Sequence, residues 1–182
     1  MRPINEIIVH CTATRPEWMA GRPLAEKVAE IRRWHVSDRG WKDIGYHYLI
    51  DRDGKVAEGR PLAQIGAHVA GRNTGTIGIA LFGGHGSAET DAFAANFTPA
   101  QDQALRGLIA KLMKAHPTIV RVSGHNLYAR KACPGFNVPS WYAAARASAP
   151  VTPAPQPDAL KPATGLWGAL VALLRRIFGG LQ

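Results

Sequence analysis

The chain has 182 residues, with 22 Lys and Arg against 13 Asp and Glu, for a net charge of +9 at pH 7 with neutral histidines. Hydrophobic residues make up 46% and charged residues 19%, a globular composition that excludes wholesale disorder. The length suits one domain with a sizeable core rather than two. The basic excess fits a polyanionic partner (nucleic acid, anionic lipid or bacterial cell wall) and does not by itself choose among them. Cys11 and Cys133 are too few cysteines for a disulfide scaffold. The apolar run Ile7-Ile8-Val9 is too short for the core of a secretory leader. No run of about 18 uncharged apolar residues is present, so a membrane-spanning helix is not expected.

Glu6-Ile7-Ile8-Val9-His10 reads as a short strand rich in branched apolar residues. A helix follows, with Pro23 near its start, Leu24, Val28, Ile31 and His35 on one face, and Gly40 where it ends. Residues 46–50 and 55–58 flank Arg52-Asp53-Gly54, the chemistry of a hairpin turn. Residues 76–82 read as a buried central strand, and the Gly-rich, polar stretch 83–96 as a loop. Thr98 as N-cap, Pro99 as first residue and Gln101 completing a capping box open the next helix, striped with Leu105, Leu108, Ile109 and Leu112. Residues 119–122 form a further strand, and residues 140–146 a last helix. Strands alternating with helices predict an α/β domain, a mixed central β-sheet flanked by helices, over residues 1–147.

The composition then changes. Residues 148–164 carry Pro150, Pro153, Pro155, Pro157 and Pro162 among small and polar residues, and read as an extended linker. Residues 165–182, wound at about 100° per residue, place Leu166, Trp167, Leu170, Leu173, Leu174, Ile177 and Phe178 on one face and Arg175 and Arg176 on the other. This basic amphipathic C-terminal helix has three readings: an interfacial helix on anionic lipid, a helix docked on the core, or a surface for a partner chain. The linker favours the first, a membrane contact.

His10 ends the first strand, and His125 and Cys133 lie eight positions apart in a loop-like stretch. Two imidazoles and a thiolate suit Zn2+, with a fourth position left for water. The spacing has no compact zinc-finger pattern, so from spacing alone a metal site and structural histidines both stay open. Strand alternation points Cys11 away from His10, and it reads as a buried thiol. A Cys11–Cys133 disulfide would require an oxidised chain. His35 reads as packed in the core and His47 as structural, while His85 and His116 carry no assigned role.

The segments Ile8-Val9-His10-Cys11-Thr12-Ala13-Thr14, Gly40-Trp41-Lys42-Asp43-Ile44-Gly45-Tyr46-His47-Tyr48 and Lys131-Ala132-Cys133-Pro134-Gly135-Phe136 resemble the type 2 N-acetylmuramoyl-L-alanine amidases. This is the zinc amidase family that includes phage lysozymes and peptidoglycan recognition proteins. Gly71-Arg72-Asn73-Thr74 and Asn96-Phe97-Thr98-Pro99-Ala100-Gln101 resemble the phage endolysins in particular. The likeness runs in order from about Ile4 to Trp141 and leaves the linker and tail uncovered. It implies one Zn2+ held by His10, His125 and Cys133, with Tyr46 and Lys131 as catalytic residues and His68 and Asn73 in the substrate groove. It implies cleavage of the amide between the lactyl group of N-acetylmuramic acid and L-alanine in peptidoglycan. The chain departs from the pattern at Leu127, where many members carry an acidic residue soon after the histidine.

The chemistry is coherent with those residues. An amide is a poor electrophile and neutral water a poor nucleophile, and zinc improves both. Lys131 can bring an ammonium to the oxygen that gathers charge, a kind of contact worth about 3 kcal/mol. Tyr46 can position water or relay a proton, and the sequence leaves these roles open. The expectation is a monomeric phage or prophage endolysin made without a signal peptide. It waits in the host cytoplasm and reaches the periplasmic wall after holin action or membrane damage. Two rivals remain: a cytosolic muropeptide-recycling amidase, against which Cys133 and Tyr46 speak, and a non-catalytic peptidoglycan-binding module, against which Cys133 speaks. No motif supports a nucleic-acid partner.

Overall fold

The computed structural model describes residues 2–147. The linker read over 148–164 and the amphipathic helix read over 165–182 lie outside the described residues. Strands β1 (Glu6–Cys11), β2 (Tyr48–Ile50), β3 (Val56–Glu58), β4 (Thr76–Leu81) and β5 (Arg121–Gly124) form a five-stranded sheet in the order β3-β2-β4-β1-β5. β1 runs parallel to both β4 and β5, and β2 runs parallel to β4. Only the β2–β3 hairpin is antiparallel, so the sheet is mixed, as the element order implies.

β1 and β4 are buried along their whole length, which is why both read as nearly unbroken apolar runs rather than as alternating ones. Ile7, Val9 and Cys11 of β1 and Ile77, Ile79 and Leu81 of β4 share one face. There they meet Leu105, Leu108, Ile109 and Leu112 of α3 (Pro99–Ala115). Leu49 and Ala80 lie on the other face beneath Val28 and Ile31 of α1 (Leu24–Arg33). Each large aliphatic side chain enclosed in this way contributes about 1.5–3 kcal/mol relative to exposure. By alternation, Glu6, Ile8 and His10 are sent to the α1 side of the sheet.

The helix ends follow from local chemistry. The capping box forms as expected: Gln101 N–H donates to Thr98 Oγ1 at 3.2 Å and Thr98 N–H to Gln101 Oε1 at 3.1 Å. The Gln101 amide also donates to the carbonyls of Ile50 and Phe82, tying α3 to the ends of β2 and β4. α1 runs into a π-helical turn, Trp34–Asp38, and the chain leaves it through Gly40 at φ +69°. On its inner side Lys27 donates to both carboxylate oxygens of Asp51 at 2.9 and 2.8 Å.

Several boundaries shift from the sequence reading, and three of the differences have a clear physical cause. The fifth strand begins at Arg121 rather than Ile119, because its pairing with β1 starts at Glu6↔Arg121. Ile119 is instead buried in the core before the strand, and Val120 is 84% exposed. The stretch read as a loop over 83–96 contains a short helix α2 (Phe93–Asn96), held down by Phe93 packing on Phe97, Phe136 and Trp141. The last helix, α4 (Val138–Ala147), starts earlier than residue 140, since Asn137 Oδ1 accepts the Ser140 N–H at 2.9 Å.

A candidate metal centre and its groove

His10 lies near the carboxyl end of β1, His125 opens a 3-10 turn directly after β5, and Cys133 follows in the next loop. Their ligand atoms all fall within 4.8 Å of one another, and His10 Nδ1 stands 3.8 Å from Cys133 Sγ. The parallel β1–β5 pair does this: it brings the end of one strand beside the turn that follows the other. The Cys133 loop is then pinned back. Asn126 N–H donates to the Cys133 carbonyl at 2.7 Å, and Cys11 N–H donates to Cys133 Sγ at 3.3 Å.

The donors suit a zinc ion in charge state as well as in type. Burial lowers His10 well below the usual imidazole range, with His68, His125 and Lys131 adding to the shift. Burial, and then the Lys131 charge, also lowers His125. Both rings are therefore neutral at pH 7 and can each offer a lone pair. The Cys133 thiol is pushed up by its hydrogen bond with Cys11 and by burial, so taking up a metal displaces a proton from it. Two neutral imidazoles and one cysteine within one ion's reach form a donor set suited to zinc.

The cluster opens onto a groove of about 950 Å³ whose walls include Trp34, His35, Trp41, Tyr46, Tyr128 and Lys131. The Tyr46 ring packs 5.2 Å from that of His10 and 5.3 Å from that of His35. Burial, then the two cysteines, raises the Tyr46 pKa, so its hydroxyl stays protonated and acts as a donor. The Lys131 charge acts on all three candidate ligands, lowering the pKa of each. All seven residues singled out from sequence sit in this region, and His68 and Asn73 border the groove while their polar atoms are also engaged by protein groups. His68 borders the groove but is 6% exposed, and its ring nitrogens face protein groups: Nδ1 lies 3.1 Å from His10 Nε2, and Nε2 lies 3.2 Å from Thr76 Oγ1. Asn73 borders the groove while its Oδ1 accepts the N–H groups of His68 and Val69.

Sequence reasoning missed Glu6, Tyr128 and the tryptophans of the wall. Glu6 is four residues before His10 on β1, so period-two alternation was enough to place both on one face. Nothing local marks Tyr128, because its hydroxyl meets Glu6 only through the fold. His35 and His47 are structural as read: His35 Nδ1 accepts Gly45 N–H, and His47 Nδ1 accepts Gly78 N–H.

A mixed sheet with two histidines and a cysteine at its carboxyl edge, opening onto an aromatic groove, defines a hydrolase of a known kind. The model of the N-acetylmuramoyl-L-alanine amidase family matches residues 1–136. The chain belongs to that family and is an N-acetylmuramoyl-L-alanine amidase. It is 43% identical over 138 residues to the endolysin of Escherichia phage T7, covering 76% of this chain and 85% of that protein. Among solved structures, the N-acetylmuramoyl-L-alanine amidase LysC from Clostridium intestinale URNW superposes with a TM-score of 0.61 at 29% identity, over 80% of this chain and 86% of that one. Peptidoglycan recognition protein-LE, solved in complex with the monomeric peptidoglycan tracheal cytotoxin, superposes with a TM-score of 0.60 at 25% identity, over 74% of this chain and 76% of that one.

Proposed function

We propose that this chain is a zinc-dependent endolysin, cleaving the bond between the lactyl group of N-acetylmuramic acid and L-alanine in the host's wall. The observation that carries the reading is the convergence of His10, His125 and Cys133 within 4.8 Å of one another, with His125 lining the groove. His10, His125 and Cys133 would hold the ion, which when bound supplies a Lewis acid that polarises an amide carbonyl and acidifies water. The protein's own groups do the rest. Lys131 holds a positive charge beside the ligands, where the carbonyl oxygen becomes negative. Tyr46, kept protonated, donates a hydrogen bond and orients the reacting groups. Trp34, Trp41 and Tyr128 give the groove flat walls against which glycan and stem peptide can lie.

The likeness to the T7 endolysin supports a protein that acts on the wall from within the host; that it does so as a monomer, from the host cytoplasm and after holin action or membrane damage, is part of the same proposal. The test is elemental analysis of the purified chain together with assay of free L-alanine amino termini released from sacculi. About one zinc per chain and alanine release are expected, both lost in Cys133→Ser. Hydrolysis unaffected by Cys133→Ser, or release of sugar reducing ends in place of alanine amino groups, would overturn the reading. Small muropeptides cleaved much faster than sacculi would favour the recycling rival instead.

A further inference from the structure

His10 has two ring nitrogens, and only one can face a metal. Nδ1 points to Cys133 Sγ at 3.8 Å, and Nε2 lies 3.1 Å from His68 Nδ1. His68 Nε2 lies 3.2 Å from Thr76 Oγ1, and that hydroxyl lies 2.9 Å from the Arg72 carbonyl and 3.1 Å from the Asn73 carbonyl. A carbonyl can only accept, so the Thr76 hydroxyl donates to the backbone and accepts from His68 Nε2–H. His68 Nδ1 is then bare and accepts from His10 Nε2–H. The one proton order that satisfies every link leaves a lone pair on His10 Nδ1, the nitrogen that faces Cys133.

The ring of His68 has a seat made for it. A Cβ on Gly78 would stand 2.6 Å from His68 Cγ and Cδ2, and one on Gly66 would stand 2.5 Å from His68 Cδ2. Strand β4 therefore has no side chain at the one position where the ring lies against it. The loop carrying His68 is closed by Asn73 Oδ1, which accepts from His68 N–H at 2.8 Å and Val69 N–H at 2.9 Å. His10, His68 and Thr76 are all buried, so water competes little for the ring nitrogens.

We infer that His68 and Thr76 are positioning residues: a buried hydrogen-bond relay that starts at a backbone carbonyl and locks His10 in the tautomer whose Nδ1 is free for the metal. The inference rests on the reading of His10 as a metal ligand, but the tautomer itself does not. Partners that orient a ligating histidine are typically worth 10–100-fold in metal affinity. Asn at position 68 can keep an acceptor near the place of Nδ1, whereas Leu cannot.

The test has two arms on the full chain. In the metal-free protein, nitrogen-15 NMR of the imidazoles reads the tautomers directly, and the Nε2–H form is expected for both His10 and His68. Zinc affinity is then measured by competition with a chromophoric chelator. Affinity is expected to fall about 10–100-fold in His68→Leu and in Thr76→Val, with much of it recovered in His68→Asn and Thr76→Ser. His10 protonated on Nδ1 in the native chain would overturn the inference. So would zinc affinities in His68→Leu and Thr76→Val equal to that of the unmodified chain. A chain showing both Nε2–H tautomers yet binding no zinc would uphold the relay and sink the metal reading, so the two failures are distinguishable.

Discussion

The hydroxyl of Tyr128 donates to the carboxylate of Glu6 across 122 residues of sequence, and Ser123 Oγ donates to the same oxygen at 2.6 Å. Glu6 is buried on β1, while Tyr128 forms a wall of the groove with the Arg72 guanidinium 4.9 Å above its ring. The strand that carries His10 thus also holds the loop between His125 and Cys133. Tyr128→Phe keeps the ring and leaves a buried carboxylate short of one donor. It is expected to cost about 1–3 kcal/mol of stability, read as a lower denaturant midpoint. Zinc content should be unchanged, and the KM for sacculi should rise as the wall loosens.

Variants of Lys131 and Tyr46 are expected to separate the proposed catalysis from metal binding. Lys131→Ala is expected to retain zinc and lose about 10²–10³ in kcat, the usual cost of one stabiliser of developing negative charge. Tyr46→Phe is expected to retain zinc and lose about 10²-fold or more. Metal analysis beside steady-state kinetics checks both. Loss of zinc from either variant would make the residue a support of the site rather than a participant in the reaction.

Acid sensitivity follows from histidines buried in neutral form. Burial pulls the His47 pKa from the ordinary imidazole value of about 6.5 down to about 4, and His35 is likewise lowered to about 4, chiefly by burial. Between those values the unfolded chain holds protons that the native chain does not, so stability is complete above pH 6.5 and falls as pH drops. For His47 alone, which is 1% exposed, the loss approaches about 3 kcal/mol near pH 4. Urea unfolding between pH 7 and 4.5 should show this decline, and a shallower slope in His47→Asn. A flat profile in the unmodified chain would contradict the buried neutral rings.

Removing residues 149–182 deletes the Pro-rich segment together with Trp167, Phe178, Arg175 and Arg176. If that tail meets anionic lipid, the shortened chain should hydrolyse purified sacculi at an undiminished rate. It should kill intact Gram-negative cells about 10-fold less well or worse, given how much buried apolar surface and basic charge add to membrane affinity. Equal killing by both forms would remove the membrane role.

Much of the frame was legible in order along the chain. The apolar runs of β1 and β4, the Asp53-Gly54 turn and the Thr98–Gln101 capping box are local signals, and each forms where it was read. The boundaries that moved were set by distant partners. The start of β5 depends on its register against Glu6, and α2 depends on aromatic rings supplied by Phe136 and Trp141. The sequence singled out the types and order of His10, His125, Cys133, Tyr46 and Lys131, because a motif records which side chains are present.

The sequence by itself determined the sheet-and-helix alternation and the set of groups available for chemistry, since hydrophobic period and turn residues act over a few positions. Only the tertiary structure decided that His68, at the edge of the groove, turns its ring nitrogens to His10 and Thr76, that a bare Gly78 lies behind it, and that Glu6 holds Tyr128. The His10–His68 and Glu6–Tyr128 contacts join segments far apart in the chain. A hydrogen bond has direction and length, and neither is defined until packing has placed both partners.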